Sequence, residues 1–194
     1  LAARSSNNNT NRIFRLNTGY AYSGRQFKNY GTFEILANYM VYDFEDLNPG
    51  FKSFSFRQIS LVDSAVVVLT KELNFEFSGF YKLSEQGDLK WNDYKIKPSR
   101  EITELLLLPA LSTSAGRFSF KVGLRYYSYF SDVIINGLKK EENYYKGIAP
   151  LTEISALFYA AFMFTLRGWY ERIDSKGNER RYLTTLNLAV KWFL

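Results

Sequence analysis

RYLTTLNLAVKWFL, residues 181–194, is the stretch whose reading decides the fold. In an extended strand Tyr182, Thr184, Leu186, Leu188, Val190, Trp192 and Leu194 fall on one side. Leu183, Thr185, Asn187, Ala189, Lys191 and Phe193 fall on the other. Side chains alternate faces along a strand, so one face is apolar with aromatic ends and the other is mixed. At roughly 3.3 Å per residue the segment is over ~40 Å long, against a usual strand of about 5–6 residues.

An uninterrupted strand of this length ending in Trp192-Phe193-Leu194 resembles the closing strand of Gram-negative bacterial outer-membrane β-barrels. That family typically ends in an aromatic-x-(aromatic or apolar) signal read by the barrel-assembly machinery. The resemblance implies an all-β, antiparallel, up-and-down transmembrane barrel in the outer membrane. It implies Trp192, Phe193 and Leu194 as the assembly signal, with outer-membrane lipid and the assembly machinery as partners.

Composition fits this reading. The 194 residues are one domain's worth of chain. Aromatics make up 18%, with 17 Phe, 15 Tyr and 3 Trp, which suits amphipathic strands better than a Leu-rich helical core. A transmembrane helix needs about 20 apolar residues. The longest uncharged apolar stretch, Ile154 to Leu166, has 13. Helical spans are therefore excluded, but barrels are not, because lumen and lipid residues alternate along their strands.

The chain has no cysteine and no histidine. Disulfides, thiol chemistry, imidazole metal sites and Ser-His-Asp triads cannot be built. Those outer-membrane lipases, acyltransferases and proteases that rely on histidine are excluded with them. Net charge is +6, from 25 Lys and Arg against 19 Asp and Glu. The basic residues are dispersed, with no run longer than Glu179-Arg180-Arg181 or Lys139-Lys140, so solvated faces explain them better than nucleic-acid binding.

Residues 1–11 read as a polar segment or loop, and 12–194 as a barrel or its C-terminal portion. About nine strands are predicted. They cover roughly 12–23, 32–44, 51–61, 65–83, 100–111, 117–130, two within 148–173, and 181–194. A helix starting at Pro150 is the alternative for the 148–173 stretch. Turns are expected at Val62 to Ser64, Ser112 to Gly116 and Leu157 to Ala160, with a strong one at Leu47-Asn48-Pro49-Gly50. Segments 84–98 and 131–146 read as long polar loops, and 24–31 and 174–180 as intermediate connections. Short turns facing long loops match the asymmetry of membrane barrels.

Alternation alone does not say whether the apolar face meets lipid or a dry core; a soluble barrel has the same period. Strand length and aromatic ends (Tyr20, Tyr22, Tyr81, Tyr126, Tyr170, Tyr182, Trp192) favour lipid. Phe120, Leu124, Leu166, Leu188 and Val190 should then face lipid. Lys71 is tolerable on that face only at a strand end, outside a band that starts at Leu73. The lumen face should collect Arg15, Glu72, Glu76, Lys121, Arg125, Arg167, Glu171 and Lys191. These charges set ion selectivity in a wide pore and pair in a narrow one.

Glu72 and Glu76 would put their Cβ atoms about 13 Å apart along a strand, too far for a glycosidase-type carboxylate pair at ~5–9.5 Å. No phosphate loop, EF-hand or metal motif is present, so no catalytic residue, metal or cofactor is assigned. Three functions compete: a porin-like channel, a structural or anchoring barrel, and a soluble β-barrel binding an apolar ligand. Counting strands back from Leu194 gives an odd number, whereas bacterial single-chain barrels are even. At least one further upstream strand, or a partner protein, is expected. A helix at 150–166 or a split of 61–83 would also restore parity.

Overall fold

The computed structural model describes residues 9–42, 45, 50, 52–90, 93, 95–158, 162–177 and 180–192. These form one sheet of nine antiparallel strands in sequence order. They are β1 (Asn9–Ser23), β2 (Phe27–Tyr42), β3 (Phe54–Val68), β4 (Leu73–Lys90), β5 (Lys95–Ala115), β6 (Phe118–Ile135), β7 (Leu138–Phe158), β8 (Phe162–Ser175) and β9 (Arg181–Trp192). There is no helix among them, so the stretch after Pro150 is strand and the alternative is dismissed. Pro150 and Leu124 lie opposite each other on the β6–β7 ladder. The expected turn at Leu157 to Ala160 falls largely on residues outside the description, as do Leu47 to Pro49, Phe193 and Leu194.

The sequence reading of the connections is corrected at four places. Within the two segments read as long loops, 84–90, 95–98, 131–135 and 138–146 are strand. β4 and β5 pair as far as Lys90↔Lys95, with a register shift at Gln86/Gly87. β6 and β7 pair to Ile135↔Leu138, with a shift at Ser131/Asp132. Polar composition there marks strands that continue past the apolar part of the sheet, where both faces carry charge. The decisive turn signal is Asn136-Gly137, whose φ values of 52° and 78° are those of a two-residue type I′ turn. Gly137→Val should cost about 1–2 kcal/mol, read as a lower unfolding midpoint, because a β-branched residue is strained at positive φ.

The third correction is the turn expected at Val62 to Ser64, which lies inside β3. The bend is at residues 69–72, where the Thr70 hydroxyl accepts hydrogen bonds from the N–H groups of Glu72 (3.3 Å) and Leu73 (3.1 Å). Lys71 lies in this bend, at the end of the strand. The fourth is the turn at Ser112 to Gly116: β5 runs to Ala115, which pairs with Phe118 across Gly116-Arg117.

Strands β1 and β9 are the edges of the sheet. Among the described residues β1 pairs with β2 alone and β9 with β8 alone. Being first and ninth in an alternating series, they run in the same direction. The C-terminal ends of β1, β3, β5 and β7 lie at one end of the sheet, and those of β2, β4, β6 and β8 at the other.

Candidate functional site: the charged concave wall

The ladders define two faces without ambiguity. Phe120, Ile154, Leu166 and Leu188 are successive cross-strand partners on one face. Lys121, Glu153, Arg167 and Asn187 are partners on the other. The first face carries Phe14, Leu16, Phe33, Ile35, Phe75, Phe77, Leu105 and Leu107 across β1 to β5. On β8 and β9 aromatic pairs bracket the apolar residues. Phe162 stacks on Trp192 with ring centroids 5.6 Å apart, and Tyr170 stacks on Tyr182 at 5.6 Å. Between those two pairs lie the 9 residues of β8 from Phe162 to Tyr170 and the 11 of β9 from Tyr182 to Trp192. A tilted membrane-crossing strand needs about 9–11.

The second face is the concave one. A recess of about 350 Å³ is lined by Ser64, Glu76, Ala110, Lys121, Leu151 and Trp169, which come from six consecutive strands, β3 to β8. A flat sheet would spread six strands over about 24 Å. A single recess touching all six requires the sheet to curl toward this face. The apolar face is therefore convex, and its large side chains are open: Leu188 is 69% and Leu186 70% exposed. The side chain of Glu171, on the concave face, is 3% exposed. This is the reverse of a water-soluble barrel, which curls around its apolar side chains.

On the concave face charged residues of alternate strands meet over small residues of the strand between. Lys121 of β6 pairs with Glu76 of β4, and Ser112 of β5 donates to the same carboxylate at 2.5 Å. Arg125 of β6 pairs with Glu171 of β8 across β7, where Ala149 is fully buried. Gly147 leaves room for the pair: a Cβ at that position would overlap the Glu171 carboxylate as it is placed. Arg125 is also stacked between the rings of Tyr127 (5.4 Å) and Trp169 (5.7 Å). Arg167 pairs with Glu153 (2.5 Å), Lys82 with Glu104 (3.3 Å), and Arg15 with Glu34.

The residues expected on the lumen face divide as follows. Arg15, Glu76, Lys121, Arg125, Arg167, Glu171 and Lys191 all stand on the concave face. Glu72 does not. β4 begins one residue after it, and the Thr70 turn holds it in the bend, so it never shares a strand with Glu76. Sequence reading missed Glu34, Glu104 and Glu153, the acidic partners; each becomes visible once strand register places it beside a cation.

On the convex face a polar cluster lies within the apolar span of β3. Asp63 of β3 accepts hydrogen bonds on Oδ1 from the Tyr20 hydroxyl (3.0 Å) and Asn29 Nδ2 (2.8 Å). Tyr20 reaches it by lying over Gly31, where a Cβ would overlap its ring. Beyond the apolar span the strand extensions carry ion pairs on both faces. Arg100 bonds Glu142 at 2.8 Å and Lys139 bonds Glu101 at 2.7 Å. The Ser131 hydroxyl, then Arg100, holds the Glu142 carboxyl below its ordinary range. The bond to Glu101 raises the Lys139 ammonium.

An antiparallel, up-and-down sheet, apolar outside and charged inside its curl, defines the wall of an outer-membrane-type β-barrel. Comparison with solved structures agrees on the fold. The chain superposes on the ferric citrate transporter FecA in its unliganded form with a TM-score of 0.61 at 13% identity, covering 98% of this chain and 35% of that one. On BauA, the ferric preacinetobactin receptor from Acinetobacter baumannii, the TM-score is 0.58 at 8% identity, covering 97% of this chain and 38% of that one. The chain thus spans little more than a third of the length of these structures. No family model and no curated protein matches the sequence.

Proposed function

We propose that this chain is wall of an integral bacterial outer-membrane barrel whose concave face lines a water-filled path for solutes. The observation that carries this reading is the polarity inversion: the sheet curls around its ion pairs and turns its Phe, Leu and Val outward. A soluble barrel binding an apolar ligand would need the opposite arrangement. In lipid every backbone polar group must be bonded, so the open edges of β1 and β9 need partners. Because the two edges run in the same direction, antiparallel closure takes an odd number of further strands.

The protein is expected to sediment with outer membranes, to resist extraction by salt and to enter detergent with β-type circular dichroism. A monodisperse monomer in detergent-free buffer would overturn the reading. Conductance across planar bilayers distinguishes a conduit from an anchoring barrel.

A further inference from the structure

The chain's charge is not shared evenly between its two faces. Assigning each strand residue to a face by the ladders puts thirteen Lys and Arg and seven Asp and Glu on the concave face, a surplus of six positive charges. The convex face has five and six, a deficit of one. The connections hold seven basic and six acidic residues and are nearly neutral. The whole-chain charge of +6 therefore resides on one face of one sheet, although no basic run in the sequence announces it.

Its position along the strands matters as much as its sign. In the middle of the wall the acids offset the cations, through the pairs of Lys121 with Glu76, Arg125 with Glu171 and Arg167 with Glu153. The surplus lies toward the two ends. Lys28 and Lys191 stand near the bends at one end, and Lys90, Lys95 and Lys140 near the other. A concave wall lined by one sign of charge focuses its field and raises the local concentration of ions of the other sign.

We infer that the concave face selects for anionic, water-soluble solutes, drawing carboxylate- or phosphate-bearing molecules to both ends of the wall and passing them along a charge-balanced middle. This rests on the reading of that face as water-lined and adds the sign of what it admits.

The absence of cysteine makes a direct test clean. Single-cysteine variants Ser60→Cys on the concave face and Val122→Cys on the convex face, in the intact protein folded into lipid vesicles, are reacted with anionic and with cationic methanethiosulfonates. At Ser60→Cys the anionic reagent is expected to react several-fold faster. That preference should shrink as ionic strength rises from about 0.01 M to about 1 M, where the screening length contracts from about 30 Å to about 3 Å. It should also shrink in a Lys28→Gln/Lys191→Gln background, which leaves the mid-wall ion pairs intact. Equal rates, or a faster cationic reagent, would overturn the inference and leave the water-lined face standing. Reaction at Val122→Cys with none at Ser60→Cys would overturn the face assignment itself. Neither outcome requires an open pore.

Discussion

Glu171→Ala is expected to destabilise the folded protein by about 3–5 kcal/mol, measured by denaturant unfolding in detergent or lipid. Removing one partner of a buried ion pair leaves the other uncompensated, and that cost exceeds the net worth of the intact pair. Glu171 is the most buried charge on the concave wall, with 3% of its side chain exposed. Arg125, its partner, is boxed between Tyr127 and Trp169, so it has little freedom to swing out and find water. A double variant Arg125→Met/Glu171→Leu should recover most of the loss, because two apolar groups of similar size carry no unpaired charge. Gly147→Val should reproduce the single-variant loss without touching either charge, since its side chain would occupy the carboxylate's place over β7. If Glu171→Ala cost no more than a surface pair, about 0–1 kcal/mol, the pair would be solvated and the wall there would be looser than its packing shows.

How much of this was legible in the sequence depended on which physical signal each residue carries. Face assignment needed only period two, and the alternation of β6, β8 and β9 placed Lys121, Arg125, Arg167, Glu171 and Lys191 together. Strand ends were harder. Charged stretches such as 139–142 look like loop when composition is the guide, because a strand beyond the apolar span has no core face to enforce alternation. The dipeptide Asn136-Gly137 held the correct answer, since positive φ at two successive residues is what a tight hairpin demands. Asp63 misled in the opposite direction. A charged residue beside Ser64 resembles a turn, and only the neighbouring strands supply the Tyr20 and Asn29 donors that let it stay in mid-strand. Which acid meets which base was out of reach: Glu76 meets Lys121 two strands away, and no spacing within either strand encodes that distance. Curvature, which decides the inversion of polarity, is likewise a property of the whole sheet.

Leu188→Arg provides the sharpest separation of the two faces. Leu188 lies six residues from Tyr182 and four from Trp192, opposite Leu166, near the centre of the apolar span of β9. Leu188 is 69% exposed on the convex face, and its described cross-strand partner there, Leu166, offers no group to pair an introduced guanidinium. In lipid an Arg near the bilayer midplane of a barrel costs about 2–4 kcal/mol, falling to about 0–1 near the interfaces. The control is its neighbour, Asn187→Arg, one residue away on the concave side and opposite Arg167. Like charges directly opposed across a ladder are destabilising, on the scale of the about 0.2–1 kcal/mol that cross-strand pairs contribute, and Arg167 is already held by Glu153. The expected difference between the two variants is therefore at least about 1 kcal/mol in vesicles. It should be measured by reversible unfolding at a single lipid composition. A hydrocarbon-facing Leu188 requires the gap to narrow for a substitution at Tyr182 or Trp192, where the introduced cation reaches head groups and water. Equal tolerance at 187 and 188 would mean that the convex face does not meet lipid, and the polarity inversion would then require a protein surface covering it instead.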